Sequence, residues 1–313
     1  MDKKSKIFLA GHKGLVGSAV YFCLKENNYK NITVIDKKKV DLRDFRKLEK
    51  FFKNKKIDYM IMAAARAGGI LANSYNQKDF FLENIEIQNN LLKLASIKKI
   101  KRTIFLGTSC IYPKLAKNPI KEESLLTGSL EKTNQCYAIA KIAGIKLCEA
   151  LYEKEKLDIA CLMPTNIYGI NDNFDKVNGH VIPSMISKFL EAKKNNKKSV
   201  HLLGTGKPKR EFLYAADLAK AIIITLETSK KKLINLYGNK LPILNVGSGE
   251  EITIRELSKK IAKITKYENT IYFDKNYPNG TLRKKLNSNR IKKLGWKPTI
   301  SLNEGLKKVI NSI

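Results

Sequence analysis

A short apolar run, Lys6-Ile7-Phe8-Leu9-Ala10, opens directly into Gly11-His12-Lys13-Gly14-Leu15-Val16-Gly17, and a helix-like stretch from Leu15 to Glu26 follows. Three glycines at three-residue intervals between a strand and a helix leave few folds open. Glycine permits a tight turn and a close backbone approach to a ligand, while a helix N-terminus offers unpaired N–H groups and a positive dipole end to phosphate. Strand, glycine turn and helix in this order make the first βα unit of a dinucleotide-binding sheet. The spacing is G-x-x-G-x-x-G, not the G-x-G-x-x-G of simpler nucleotide-binding turns.

The rest of the first half continues the alternation. Strands are expected at Ile7–Ala10, Ile32–Ile35, Tyr59–Ala64, Thr103–Leu106 and Ile159–Met163, and helices near Leu15–Glu26, Arg43–Lys53, Phe80–Ser96 and Tyr137–Glu155. That pattern predicts an α/β protein with a Rossmann-type doubly wound parallel sheet. The second half is less regular, with a loop-rich segment over Gly169–His180 and helices near Ile182–Asn195, Ala216–Glu227, Thr253–Thr265 and Leu302–Ile310. Strands are expected there at Val200–Leu203, Ile243–Val246 and Ile271–Phe273. We expect residues 1–170 to form the dinucleotide-binding domain, with 213–236 returning to it. Residues 171–212 and 237–313 should form a smaller, interleaved C-terminal lobe for the substrate.

A formal charge of +31 raises nucleic acid as a partner, but the lysines are spread along the chain among abundant Asn and Ile, and no helix-turn-helix, RNP or zinc-finger signature accompanies them. No apolar run approaches the ~20 residues of a membrane span, and the basic start leads into one short strand, not a signal core. The expectation is a cytoplasmic protein that binds neither nucleic acid nor membrane. Five cysteines without a C-x-x-C pair and three scattered histidines predict no metal site, and Cys23, Cys148 and Cys161 sit in apolar contexts as core fillers.

A second constellation lies at Tyr137-Ala-Ile-Ala-Lys141. Four apart on a helix, tyrosine and lysine share a face, and a nearby ammonium, by favouring tyrosinate, lowers the phenol's pKa towards the operating pH and so makes it a better proton donor to a carbonyl. Leu106-Gly-Thr-Ser-Cys110 closes the fourth strand, where doubly wound sheets place their ligands, and Thr108 offers a hydroxyl to orient that carbonyl. If the chain stays extended, Cys110 points to the same face as Thr108. For the cofactor, Asp36 near the end of the second strand would suit the ribose hydroxyl of NAD, whereas Lys13 and Lys37 to Lys39 would suit the extra phosphate of NADP. Asp41 and Leu42 suit the adenine. The reading leans to NADP.

Several stretches carry a resemblance: Ala10 to Ser18, Ala63 to Ala65 with Gly68 to Ile70, Ser109 to Lys117, Tyr137 to Cys148, Met163 to Asn166 with Tyr168-Gly169, His180 to Pro183 and Arg210 to Leu213. Across almost the whole chain, to Gly295-Trp296, they resemble the extended short-chain dehydrogenase/reductases, and among those the epimerase/reductases of GDP-4-keto-6-deoxy-mannose. The resemblance implies two chemistries in one pocket. Cys110 and His180 would act as base and acid at C3 and C5, and Tyr137, with Lys141 and Thr108, would assist reduction of the C4 ketone by NADPH.

It further implies that Leu106, Gly107 and Ser109, with Pro164, Thr165, Asn166 and Ile167, line the nicotinamide side, with His180 nearby. Lys188 and Arg210 match positions that bind the nucleotide diphosphate. The pattern departs at Thr108, where serine is usual, at Leu203, where a tryptophan lies against the guanine, and at Asn279, where aspartate is usual. A GDP-linked keto-deoxy sugar is the implied substrate, and a homodimer through the helices near Phe80–Ser96 and Tyr137–Glu155 the implied assembly, with Ile139, Ile142 and Leu147 as its apolar face. Two alternatives stay open: an enzyme reducing another GDP- or dTDP-linked 4-keto sugar, such as that of GDP-L-colitose formation, and a non-catalytic nucleotide-binding protein on the same fold.

Overall fold

The computed structural model describes residues 1–313. Its first half runs β1 (Ile7–Ala10), α1 (Leu15–Glu26), β2 (Ile32–Val34), α2 (Phe45–Phe52), β3 (Tyr59–Met62), α3 (Ile70–Tyr75), α4 (Gln77–Ile97), β4 (Arg102–Leu106), α5 (Gln135–Lys154) and β5 (Ile159–Pro164). The second half continues with β6 (Asn166–Tyr168), α6 (Val181–Lys194), β7 (Ser199–Leu203), β8 (Lys209–Tyr214), α7 (Ala215–Glu227), α8 (Lys230–Tyr237) and β9 (Ile243–Val246). Last come β10 (Glu251–Thr253), α9 (Ile254–Thr265), β11 (Thr270–Asp274), β12 (Arg283–Lys284), α10 (Asn289–Lys292) and α11 (Leu302–Ile310).

Six strands form one parallel sheet in the order β2-β1-β3-β4-β5-β9. Every residue of β1, β4 and β5 is buried, as expected of parallel strands covered by helices on both faces. One face carries a core with Leu91, Leu92 and Leu94 of α4 and Ile142, Ile145 and Cys148 of α5. The other carries Val20 and Leu24 of α1 with Leu218, Ala221 and Ile222 of α7, so α7 returns to lie against α1. The chain order reverses between β1 and β3, and the crevice beyond their C-terminal ends is where such sheets bind ligands.

Strand β9 is the sixth strand of this sheet, pairing Cys161 with Ile243 through Pro164 with Val246, although the sequence pattern placed residues 237–313 in the small lobe. Trp296 and Ile291 likewise pack into the α1–α7 core. A four-residue strand carries no mark of the sheet it joins until its partner is known. The remaining lobe has its own core of Ile186, Phe189, Leu202, Leu257 and Leu306 under short strands, β10-β8-β12 with β6 on β8, and the separate pair β7–β11. Helix α9 starts in a reciprocal capping box between Thr253 and Glu256.

Two buried charged side chains tie elements together. Arg102, at 4% exposure, donates to Asp158 Oδ2 at 2.7 Å and to the Thr225 carbonyl at 2.9 Å, satisfying the end of α7. Glu211, fully buried on β8, accepts from Gly249 N at 2.6 Å and Leu286 N at 2.9 Å, while its own carbonyl receives Thr165 Oγ1 at 3.1 Å and Asn166 Nδ2 at 2.8 Å.

Candidate active site

The ends of β1, β3, β4 and β5 open into a cavity of about 440 Å³, closed on its far side by α6 and by the segments around Leu203, Arg210 and Tyr277–Lys284. At its floor the chain turns sooner than alternation predicts. Thr108 is extended, but Ser109–Ile111 forms a 3-10 turn in which Cys110 N donates to Thr108 Oγ1 at 3.2 Å. Thr108 and Cys110 therefore meet because the backbone curls, not because they alternate along a strand. Both line the cavity.

Tyr137, in the first turn of α5, lines the same cavity and is set edge-on to Phe80, with centroids 6.3 Å apart. Burial raises its phenol above the ordinary value, Cys110 adds to the rise, and the facing Thr108 side chain works against it. Lys141, one turn on, is 4% exposed and donates to the Leu106 carbonyl at 2.9 Å. Burial lowers its ammonium to about 8. The expected push of Lys141 on the tyrosine is not found in this geometry: the ammonium is anchored on the end of β4, and burial governs the phenol.

Around Cys110 the structure assembles groups that no local pattern marked. Asn134, three residues before Tyr137, donates its amide to Cys110 Sγ at 3.2 Å, and Lys284 Nζ stands 3.9 Å from the same sulfur. Lys284 of the distant β12 is thus a cation beside the thiol, and Arg210 interacts with the same thiol. His180 caps α6, and its Nδ1 lies 3.5 Å from Oδ1 of Asp172, whose side chain is only 4% exposed. That contact leaves Nε2 as the ring nitrogen for the cavity.

The glycine turn has the shape a pyrophosphate requires. Gly11 has φ +87°, and a Cβ there would come within 2.6 Å of the Ala64 backbone; a Cβ on Gly17 would lie 2.0 Å from the Gly11 carbonyl. No side chain caps α1 at Gly14, and the N–H groups of Leu15, Val16 and Gly17 find no acceptor in the chain. A helix start with open amides is an anion cradle, so these residues fit a dinucleotide. His12 belongs to the same turn. Lys13 is ion-paired with Asp36, so in this conformation the acid suited to the ribose and the cation suited to the extra phosphate engage each other, and Lys37 stands exposed just beyond. Asp41 is bridged by Arg43 at 2.6 Å, and the Leu42 carbonyl is held by Asn90 at 2.9 Å, so in this conformation the Asp41 carboxylate is already engaged. Leu106, Gly107, Ser109, Pro164, Thr165, Asn166 and Ile167 all line the cavity.

On the far side, Arg210 and Lys188 line the cavity without a carboxylate partner. Arg210 donates only to the carbonyls of Lys209 and Asn279, at 2.9 and 3.3 Å, and Lys188 to that of His201 at 3.2 Å. Burial lowers both cations below their ordinary values. Leu203, 39% exposed, and Tyr277, 38% exposed, face the same end. The Asn279 side chain is committed within the protein, its Oδ1 accepting from Thr205 N at 2.8 Å and Thr205 Oγ1 at 3.0 Å.

A tyrosine–lysine pair on a helix, an open glycine turn and a parallel sheet define a nucleotide-dependent oxidoreductase site, and residues 7–238 match the NAD dependent epimerase/dehydratase family. The chain belongs to that family. It is 45% identical over 305 residues to GDP-L-fucose synthase 1 of Arabidopsis thaliana, covering 97% of this chain and 92% of that one. It is 43% identical over 303 residues to the GDP-L-fucose synthase of Escherichia coli K12, covering 97% and 94%. Among solved structures, a GDP-D-glycero-L-gluco-heptose synthase from Campylobacter jejuni, determined in the presence of NADPH, superposes with a TM-score of 0.92 at 31% identity, covering 100% and 99%.

Proposed function

We propose that this chain converts GDP-4-keto-6-deoxy-D-mannose to GDP-L-fucose, by 3,5-epimerisation and then NADPH-dependent 4-reduction. The observation that carries this reading is the convergence of a thiol, an imidazole and a phenol, from the β4 turn, the start of α6 and the start of α5, on one cavity beside the open helix N-terminus. The full-length likeness to GDP-L-fucose synthases supports it.

The C4 ketone acidifies the C–H bonds at C3 and C5. Cys110 removes those protons, and His180, its ring turned by Asp172, returns a proton to the opposite face. Thr108 and Tyr137 hold the C4 oxygen, and Tyr137 gives it a proton as the ketone becomes an alcohol. Gly11–Gly17 would hold NADPH, whose chemistry here would be the supply of a hydride to C4. Lys141 fixes the end of β4 and keeps two further N–H bonds for the cofactor's ribose. Arg210 and Lys188 hold the diphosphate, for which unpaired cations are suited. Leu203 covers the base, and Asn279 shapes the turn beneath it through Thr205.

Incubation with GDP-4-keto-6-deoxy-D-mannose and NADPH should yield GDP-L-fucose, identified by NMR of the sugar. Recovery of the unepimerised 4-alcohol alone would make the chain a plain 4-keto reductase.

We propose a homodimer through α4 and α5. Leu82 and Ile139 are 43% and 41% exposed on these helices, whereas Ile142, expected on the same face, is 8% exposed and belongs to the chain's own core. Sedimentation should give twice the 35.5 kDa chain mass, and Ile139→Glu should shift it to monomer.

A further inference from the structure

Lys284 is a cavity cation that none of the roles above uses. It lies on β12, 8% exposed, opposite Arg210 in the parallel register with β8. It forms no ion pair with any carboxylate, and the Cys110 sulfur at 3.9 Å is the only side-chain acceptor of its ammonium. A buried ammonium without a carboxylate works against folding, and the one side-chain neighbour able to offset it is a sulfur that can carry negative charge. Asn134 supplies a second N–H to the same sulfur, at 3.2 Å.

We infer that Lys284 is a positioning residue for the epimerisation, its ammonium offsetting the negative charge that Cys110 bears as the base. This rests on the proposed function insofar as Cys110 is that base. In the step, thiolate Sγ takes the proton from C3 or C5. The C–H electron pair becomes a C=C bond, and the carbonyl π pair moves to the C4 oxygen. A proton from His180 then reaches the carbon from the other face as the C4–O double bond re-forms. Sulfur passes from anion to thiol, His180 loses one proton, and both are restored by exchange with water. A lysine serving the diphosphate would instead govern substrate affinity, as expected of Arg210 and Lys188.

The test uses the full chain with Lys284→Met and Lys284→Gln, which remove the charge, and Lys284→Arg, which keeps it. Carbamidomethylation of Cys110 by iodoacetamide, followed by mass spectrometry on its own peptide, needs no substrate. It should slow about tenfold in the two neutral variants and return to within about threefold of wild type in Lys284→Arg. Incorporation of solvent deuterium at C3 and C5 of the keto sugar should slow about tenfold in the neutral variants while KM and NADPH affinity stay within about twofold. Unchanged labelling of Cys110 in both neutral variants overturns the inference. So does a raised KM with undiminished exchange, the behaviour of a phosphate ligand. If wild type exchanges no deuterium but its labelling still depends on Lys284, the proposed function fails, and with it the role in epimerisation, leaving only the effect of Lys284 on the Cys110 thiol.

Discussion

The two sides of the cavity are built by different means. The side formed by β1, β3, β4 and β5 is the end of one parallel sheet, and its charged group, Lys141, is anchored on the carbonyl of Leu106. The opposite side is assembled from α6, the end of β7 and the short strands β8 and β12, brought together from Val181 to Lys284. There the cations Lys188, Arg210 and Lys284 have no carboxylate partner. Rigid strand ends suit a reaction whose atoms must be held closely, whereas unpaired cations on short strands suit recognition of an anion. Substitutions on the first side should therefore alter rate, and those on the second, apart from His180 and Lys284, affinity or the docking of the lobe.

The largest effect should come from the sheet side. Tyr137→Phe removes the phenol proton and leaves the ring against Phe80. NADPH oxidation should fall roughly 10²–10⁴-fold, with NADPH affinity, measured by fluorescence titration, unchanged. A variant that oxidises NADPH at near-normal rate would remove the tyrosine from the chemistry and abolish the contrast.

The seam between the two sides should come next. Glu211→Ala deprives Gly249 N and Leu286 N of their acceptor in a fully buried site. The loss should be about 2–6 kcal/mol of stability, since each of the two stranded buried donors costs about 1–3. Glu211→Gln, which keeps one acceptor oxygen, should lose less. Denaturant unfolding checks both, and an unchanged midpoint in Glu211→Ala would mean that the lobe does not hang on this carboxylate.

A smaller effect follows from the depressed Lys141. Burial lowers it to about 8, so it is an ammonium below that pH and neutral above. Tyr137 is displaced the other way and titrates well to the alkaline side. The alkaline limb of the reductase profile should therefore begin near pH 8 and fall about tenfold per unit. Lys141→Arg should move that limb upward, and a limb that stays in place would assign it to another group.

The same contrast decides what the sequence disclosed. β1, α1, β4, α5 and β5 were legible because a buried parallel strand is a continuous apolar run and its helix repeats every 3.6 residues. Tyr137 and Lys141 were legible because one helical turn links them. β10 and β12, of three and two residues, have no period to read, and β8 carries Lys209, Arg210 and Glu211 among its apolar residues. Lys284 reaches Cys110 across 174 positions through strand pairing alone. Asn134 offered a local signal, three residues before Tyr137. Asp172 offered only its place in the loop before His180. The neighbourhood of Thr108 and Cys110 was foreseen through the wrong geometry, because a 3-10 turn looks like a strand end in sequence.

The smallest expected effect tests the recognition side at Leu203. Leu203 presents an exposed aliphatic side chain to the cavity, and Tyr277 faces the same end. An aliphatic surface covers a base by burial alone, whereas an aromatic ring adds about 0.5–1.5 kcal/mol from ring geometry. Leu203 stands at the edge of the β7–β11 pair, with Asp274 as its register partner, so a larger ring can extend over the cavity without entering the core. Leu203→Trp should therefore lower KM for the GDP-sugar by about 3–10-fold, the equivalent of that added stacking, and leave kcat within about twofold. A fall in kcat with unchanged KM would show that position 203 reaches the reacting sugar, and the two sides of the cavity would then share one task.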